Sequence, residues 1–431
     1  MDAGRPGVPD ADALGWSRRR FLAGAGLVAG AVVAGHTLSV WGRPVEGAAP
    51  TIAPARRSSS RIVVIAELAG GNDALDTVIP FADPRYRSLR PTLAPTSPLP
   101  LDETSALHPR LVRLAERYRS GQVAIVEGVG VPDNDLSHFA SLATWWSGRP
   151  GDPGATGWLG RHLDRTVGFD DPLAGVVIGP GPSPALTGAA SFTTSIADAR
   201  GLTPRGPAWL AADAALLDAW ADMGRARGSR RHLEDEVRRS VAATDEARTE
   251  LARALGGGTG DAEAADPTGP GEGTATAAFA VAARLVTGPR PPQVVYLTDL
   301  GDFDTHEGQA GRRAALMGDL DAGIDAFLRA VEAAGRADDV IVVTVSEFGR
   351  RAQENGNGTD HGNAGTHFVV GAPVAGGRYG RPTSLGTLDA RGNLPVAVDY
   401  RDLYATVLGW LDADPEAILG PGFTPQDVFT T

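Results

Sequence analysis

Short runs of β-branched and apolar residues recur along the chain, each closed by Gly, Asp or Asn. Arg61-Ile62-Val63-Val64-Ile65-Ala66 ends in Ala69-Gly70-Gly71-Asn72-Asp73 and reads as a buried strand followed by a turn. Residues 122–126, 174–178, 293–298, 340–345 and 366–370 read as further strands. Between them the spacing is helical. Leu107, Leu111, Leu114, Ala115 and Tyr118 predict a helix stopped by Gly121, and helices are expected from Ser137 toward Trp146, over 312–332 and over 400–411. Strands apolar on both faces, alternating with helices, predict an α/β fold with a mostly parallel sheet covered on both sides. From 208 to 255 the pattern shifts to Ala, Arg, Asp, Glu and Leu, which predicts long, largely solvated helices, and Gly256 to Gly273 reads as a flexible loop. Together 208–273 is expected to form a helical insertion.

Composition narrows the chemistry. The chain has 431 residues, 42% hydrophobic and 21% charged, enough to bury a large core in one α/β domain or two. It has no Cys, and every one of its 40 basic residues is Arg. That excludes disulfides, cysteine-ligated zinc, iron–sulfur clusters, thiol nucleophiles, Schiff-base lysines and any phosphate loop that needs its Lys. A net charge of −12 disfavours general attraction to nucleic acid or anionic lipid, although a local Arg patch stays open.

At the front, Ser17-Arg18-Arg19-Arg20-Phe21-Leu22 precedes a Gly/Ala-rich apolar stretch to Gly35 that is too short for a stable span. This resembles a twin-arginine export signal, so the twin-arginine export machinery is an expected partner. Residues 1–57 are expected to be signal and linker, with 58–431 as the α/β domain. Small residues at Ala53 and Ala55, or at Ala48 and Ala49, suit cleavage. The mature form is expected to lack a membrane span and to work in the periplasm, cell envelope or outside the cell.

Ligands of open α/β sheets collect at the carboxyl ends of the strands. The residues there are rich in metal-ligand types. Asn72-Asp73 follows the first strand, Ser137-His138 opens a helix after the second, and Asp302, Asp304 and His306 follow the strand ending near Thr298. Glu347 follows Val345, and Asp360, His361 and His367 come next. Asp304 and His306 at i and i+2 point to one side of an extended backbone, as two ligands of one ion should. Asp73 and Asp360 suit either Asx-turns or oxygen ligation. Glu347 at a buried strand end needs a partner, either a metal or Arg350 or Arg351. His367 joins the carboxyl ends only if its strand runs antiparallel to its neighbours. Ser137 suits an N-cap or a metal-assisted nucleophile. A metal-independent serine hydrolase is a weaker reading, because no Gly-x-Ser-x-Gly elbow surrounds Ser137.

Taken together, Glu67 to Asp73, Asp135 to His138, Asp304-Thr305-His306, Ser346 to Arg350 and Gly358 to Gly362 resemble the motifs of the DUF1501 family. That family is similar in turn to the alkaline phosphatase and sulfatase superfamily. The resemblance implies a three-layer α/β/α sandwich with one or two divalent metals. It implies a ligand role for Asp73, the nucleophile position for Ser137 beside His138, and later ligands among Asp304, His306, Glu347, Asp360, His361 and His367. Glu347 stands where the superfamily commonly has an Asp-His pair, and Asp302 where a Gly is expected. The function implied is an exported hydrolase of phosphate or sulfate esters using zinc, manganese or magnesium. The alternative is a non-catalytic envelope binding protein for a small anionic ester or envelope ligand.

Overall fold

Val340–Val345 is apolar at every position but Thr344 and lies at the middle of the sheet, as a strand with no solvent-facing side must. The structure, a computed structural model, describes residues 38–41, 60–152, 155–196, 222, 232–256 and 273–430. The export segment, most of 208–231 and the Gly-rich loop lie outside these described residues.

The central sheet comprises β1 (Leu38–Trp41), β2 (Ile62–Glu67), β3 (Val123–Gly130), β4 (Gly175–Ile178), β5 (Thr193–Ile196), β6 (Val294–Leu297), β7 (Val340–Val345), β10 (Gly365–Val370), β11 (Gly377–Gly380) and β12 (Val398–Asp399). A separate hairpin is made by β8 (Gly349–Glu354) and β9 (Thr359–Gly362). The sheet order is β1-β5-β4-β6-β2-β7-β10-β3-β11, with β12 also on β3. Only β1 and β10 run against the rest. The sheet is therefore mostly parallel, and the strand carrying His367 has the antiparallel direction expected of it.

The helices are α1 (Ala74–Thr77), α2 (Pro84–Leu89), α3 (Val112–Arg119), α4 (His138–Ser147), α5 (Trp158–Thr166), α6 (His232–Gly256), α7 (Thr274–Val286), α8 (Gln309–Ala333), α9 (Tyr400–Trp410) and α10 (Pro415–Leu419). Alternation along β2 splits its side chains between two cores. Ile62, Val64 and Ala66 pack with residues of α3, α6, α7 and α8. Val63 and Ile65 pack with residues of α4, α5, α9 and α10. Helices on both faces of one sheet make the three-layer α/β/α arrangement.

Two expected elements differ. Leu107 belongs to a strand, Ala106–Leu107, in a small three-stranded sheet, and the helix starts only at Val112. Its apolar periodicity is shared because the buried strand and the helix face the same core. The described part of the insertion, α6, is not largely solvated. It buries Ala243, Ala247, Leu251 and Leu255, a stripe at helical spacing, against the core.

Candidate metal centre

Asp304 is the focus of the carboxyl edge of the sheet. It reaches this place because Phe303 N–H donates to Ala69 carbonyl at 3.0 Å, stitching the loop after β6 onto the loop after β2. Gly70 permits that closeness: it has φ +112°, and a Cβ there would lie 2.3 Å from Asp304 N. The β8–β9 hairpin supplies two further groups, since Arg350 and His361 are direct partners across it. Arg350 is fully buried and donates to Asp304 Oδ1 at 2.5 Å, to Thr359 carbonyl at 2.9 Å and to Gly71 carbonyl at 3.1 Å.

Three imidazoles close around the same carboxylate. His306 Nε2 lies 3.0 Å from Asp304 Oδ1, His361 Nε2 3.2 Å from Oδ1, and His138 Nε2 3.5 Å from Oδ2. His306 Nε2 and His361 Nε2 are 3.0 Å apart. Their opposite nitrogens are engaged elsewhere. His361 Nδ1 meets Leu136 carbonyl at 2.9 Å, so it donates there and leaves Nε2 a bare lone pair in the neutral ring. Leu136 aims that carbonyl from a left-handed backbone, φ +62°, which a side chain of its size adopts at a cost of about 1–2 kcal/mol. His138 Nδ1 meets Glu347 Oε1 at 2.8 Å, which likewise turns Nε2 toward Asp304. His306 Nδ1 lies 3.7 Å from Asp360 Oδ1.

At 3.0 Å the two Nε2 atoms need a proton or a cation between them: either His306 donates an Nε2–H to His361, or both lone pairs face one ion. Ligand atoms held tetrahedrally about 2.1 Å from one ion stand about 3.4 Å from each other. The four contacts given above, 3.0 to 3.5 Å, lie near that spacing, while His306 stands outside the group that His138, Asp304 and His361 make within 4.8 Å. Among the described residues, His138, Asp304 and His361 form the trio whose ligand atoms all fall within 4.8 Å of one another. The residues therefore fit a divalent ion of nitrogen and oxygen preference. The site opens to water, with Asp304 33% exposed.

Electrostatics agree with this layout. Burial pushes the Asp304 carboxyl up, but the Arg350 hydrogen bond and charge outweigh it and hold the group below the usual carboxylate range. The hydrogen bond to Glu347 raises His138, against the effect of burial. Burial lowers His361.

The other candidates stand elsewhere. Asp73 is buried and is not part of the cluster: Arg90 binds it at 2.6 and 3.1 Å, Gln309 at 2.6 Å, and it caps α1 through Leu75 N–H. With Arg90, Gln309 and Leu75 N–H together supplying four hydrogen bonds, this carboxylate has no lone pair left for an ion. His367 lies on the antiparallel strand as required, yet its side chain faces the core, 5.5 Å from the Trp145 ring, and burial lowers its pKa to about 4. Period-two alternation explains this, because Val369, two residues on, packs into the same core. Glu347 does not take Arg350 or Arg351 as its partner; it accepts from Gly70 N–H at 2.8 Å and holds His138. Ser137 is the exposed N-cap residue of α4 and its hydroxyl makes no capping bond. Asp360 is an outer neighbour, paired with Asn355 at 3.1 Å.

Two participants were not singled out from sequence. Gln309 bridges Thr305, Thr359 and Asp73 and so braces the loop beside the centre. Glu67 ends β2 with Tyr296 O–H and Trp146 N–H on one oxygen, at 2.6 and 2.7 Å, and burial pushes its pKa up to about 7. Its signal was present: an acid closing an otherwise apolar strand.

A family model described as "Protein of unknown function (DUF1501)" matches residues 122–423. The chain belongs to the DUF1501 family. The matched span contains His138, Asp304, His306, Glu347, Asp360 and His361. No curated protein matches this DUF1501 chain. Among solved structures it is similar to PsFucS1 sulfatase from Pseudoalteromonas sp., at 12% identity and TM-score 0.41 over 86% of this chain and 71% of that one. It is similar to a protein in the alkaline phosphatase superfamily from Vibrio parahaemolyticus, at 11% identity and TM-score 0.39 over 94% and 79%. It is also similar to Ps i-CgsB, solved in complex with k-i-k-neocarrahexaose, at 12% identity and TM-score 0.40 over 84% and 74%. At these identities and scores the likeness assigns no chemistry to the DUF1501 chain. Among the described residues no helix is long and apolar enough to cross a membrane.

Proposed function

We propose that this DUF1501 protein is an exported, divalent-metal-dependent hydrolase of phosphate or sulfate esters. One observation carries the reading: three Nε2 atoms converge on Asp304, and the outer nitrogens of two of those rings are held by Leu136 and Glu347. His138, Asp304, His306 and His361 would hold the ion. Zinc and manganese suit mixed imidazole and carboxylate donors, and magnesium suits the carboxylate alone. Such an ion supplies neutralising charge for the ester and lowers the pKa of a hydroxyl or water.

The chain's own groups then divide the work. Glu347 fixes the tautomer and angle of His138. Arg350 keeps Asp304 ionised. Ser137, exposed at the start of α4, offers a free hydroxyl next to His138 and is the proposed nucleophile. Export rests on the Ser17–Leu22 segment, and replacing Arg18 and Arg19 by Gln should retain the protein in the cytoplasm.

The test is elemental analysis after loading with zinc, manganese or magnesium, followed by hydrolysis of aromatic phosphate and sulfate esters. Wild type should bind an ion and turn over an ester, His306→Ala should lose both, and Ser137→Ala should keep the ion and lose turnover. Failure to retain any ion defeats the proposal. A second reading, a non-catalytic envelope binding protein, draws on Arg350 already occupying Asp304 Oδ1. Ion binding with no turnover of any ester would select it.

A further inference from the structure

A cavity of about 720 Å³ opens on the outer flank of α5, away from the rim centre. Helix α4 begins at His138 and ends at Ser147, so at 1.5 Å per residue its two ends are about 15 Å apart, and Arg149 stands just beyond the far one. Along α5, Trp158, Leu159, His162 and Leu163 are buried. Arg161, Asp164 and Arg165, spaced i, i+3, i+4, form the opposite stripe and line the cavity with Gly168. Arg149 and Arg239 bring the guanidiniums lining it to four, and Phe169 is its apolar wall, with the buried Phe192 behind it. The Arg239 guanidinium lies 5.8 Å from the centre of the Phe169 ring, and the two phenyl rings are 4.9 Å apart.

The charges in this group of guanidiniums are poorly matched for an acidic protein. Arg90, Arg313, Arg350 and Arg378 each take a carboxylate within 3.0 Å. Among the described residues, none of Arg149, Arg161, Arg165 and Arg239 does so. Their hydrogen bonds go to carbonyls instead: Arg161 to Ser147 at 2.7 Å and Ile418 at 2.9 Å, Arg149 to Ile418 at 3.4 Å, Arg165 to Ala417 at 3.3 Å. The Ile418 and Ala417 carbonyls lie in the last turn of the five-residue helix α10, which one cation would suffice to cap, and the Ser147 carbonyl ends α4. Burial, then the like charge of Arg149, pulls Arg161 down to about 10.

The acids of the cavity, Asp164, Asp170 and Glu246, offset this only in part, four guanidiniums against three carboxylates. Asp164 accepts from Ala189 N–H, Ala190 N–H and Ser191 O–H at 2.6 to 2.8 Å, which holds its carboxylate on the 189–191 loop, where its charge offsets part of that of Arg161. Glu246 is bound by Arg290 at 2.5 Å, and Asp170 is exposed to water. Arg161 has three of its five N–H groups engaged, leaving two for a ligand.

We propose that this cavity is an anion-binding site, separate from the metal centre, for an organic phosphate or sulfate whose ring or apolar body rests on Phe169. The volume lies within the usual range for ligand pockets, roughly 300–1,000 Å³. Guanidiniums bind such oxyanions bidentately, and aromatic faces take a sugar or phenyl ring. The site does not depend on the hydrolase reading. Its ligand is either a free small ester or a charged polymer chain carrying the same groups.

The test is calorimetric titration of phenyl phosphate into the full chain after removal of metal by chelation. Saturable binding is expected, unchanged in His306→Ala. Arg149→Gln and Arg239→Gln should each weaken it at least about tenfold, the scale of losing one charged hydrogen-bonded contact. Arg161→Gln should weaken it more, but it also removes bonds to Ser147 and Ile418, so the two outer variants carry the decision. Displacement of phenyl phosphate by dextran sulfate assigns the site to a polymer, and no displacement assigns it to a small ester. Absence of saturable binding overturns the proposal, as does wild-type affinity in both Arg149→Gln and Arg239→Gln.

Discussion

Asp73 and Asp304 both follow a strand of the central sheet into a loop, yet they end in opposite states. Asp73 is buried, gripped by Arg90 on both oxygens and by Gln309 on one. Asp304 is one-third exposed, anchored by Arg350 on one oxygen and ringed by three imidazoles. Arg90 takes one site on each oxygen of Asp73, and Gln309 and Leu75 N–H take the others, so the first pair is closed. Neutral imidazoles bring lone pairs of their own, so the second site can accept a cation. The kind of base on the facing wall decides whether an acid supports the fold or serves a centre.

The largest effect that can break this contrast is at the closed pair. Arg90→Met should leave Asp73 as an unpaired buried charge and cost about 3–5 kcal/mol in urea unfolding. Zinc affinity of the folded variant should stay within a few-fold of wild type. A loss under about 1 kcal/mol would erase the distinction.

Glu67 extends the comparison to an acid with neither Arg nor imidazole as its partner. Its pKa rises from 4.5 to about 7 on folding, so the folded state holds the proton more tightly than the unfolded chain. Folded stability should therefore fall as pH rises from about 4.5 to 7 and stay low above, by roughly 3 kcal/mol at most. Glu67→Gln keeps an acceptor for Tyr296 O–H and should flatten that slope. An identical pH profile in the variant would show that Glu67 ionises normally.

At the open site, His361→Ala should reduce zinc affinity by at least about a hundredfold while changing stability little, which a dye-competition titration and thermal unfolding would separate. A smaller effect is expected one layer out. Glu347→Gln should reduce affinity about 10- to 100-fold, because His138 would keep its place but lose its charged partner. Equal loss in the two variants would make Glu347 a ligand and not an orienting group. The smallest effect is at the surface: Asp302→Ala breaks an exposed bond to Arg312, and unfolding should change by less than about 1 kcal/mol.

Much of this was legible without coordinates. Apolar runs and their closing turns located the central strands, because burial on both faces leaves an uninterrupted β-branched signature. Residue type and position after a strand picked out His138, Asp304, His306 and His361. The antiparallel direction of β10 was stated as a condition and is met. What the sequence could not decide was the wall opposite each acid. Arg90 is seventeen positions from Asp73, Arg350 forty-six from Asp304, and Glu347 two hundred and nine from His138. Nor could it tell that His367 turns into the core, since one step of alternation separates the two faces of a strand. Local pattern sets elements and supplies donors. Which donors meet, and whether a guanidinium or an imidazole arrives first, depends on loops that pack only when the sheet is assembled.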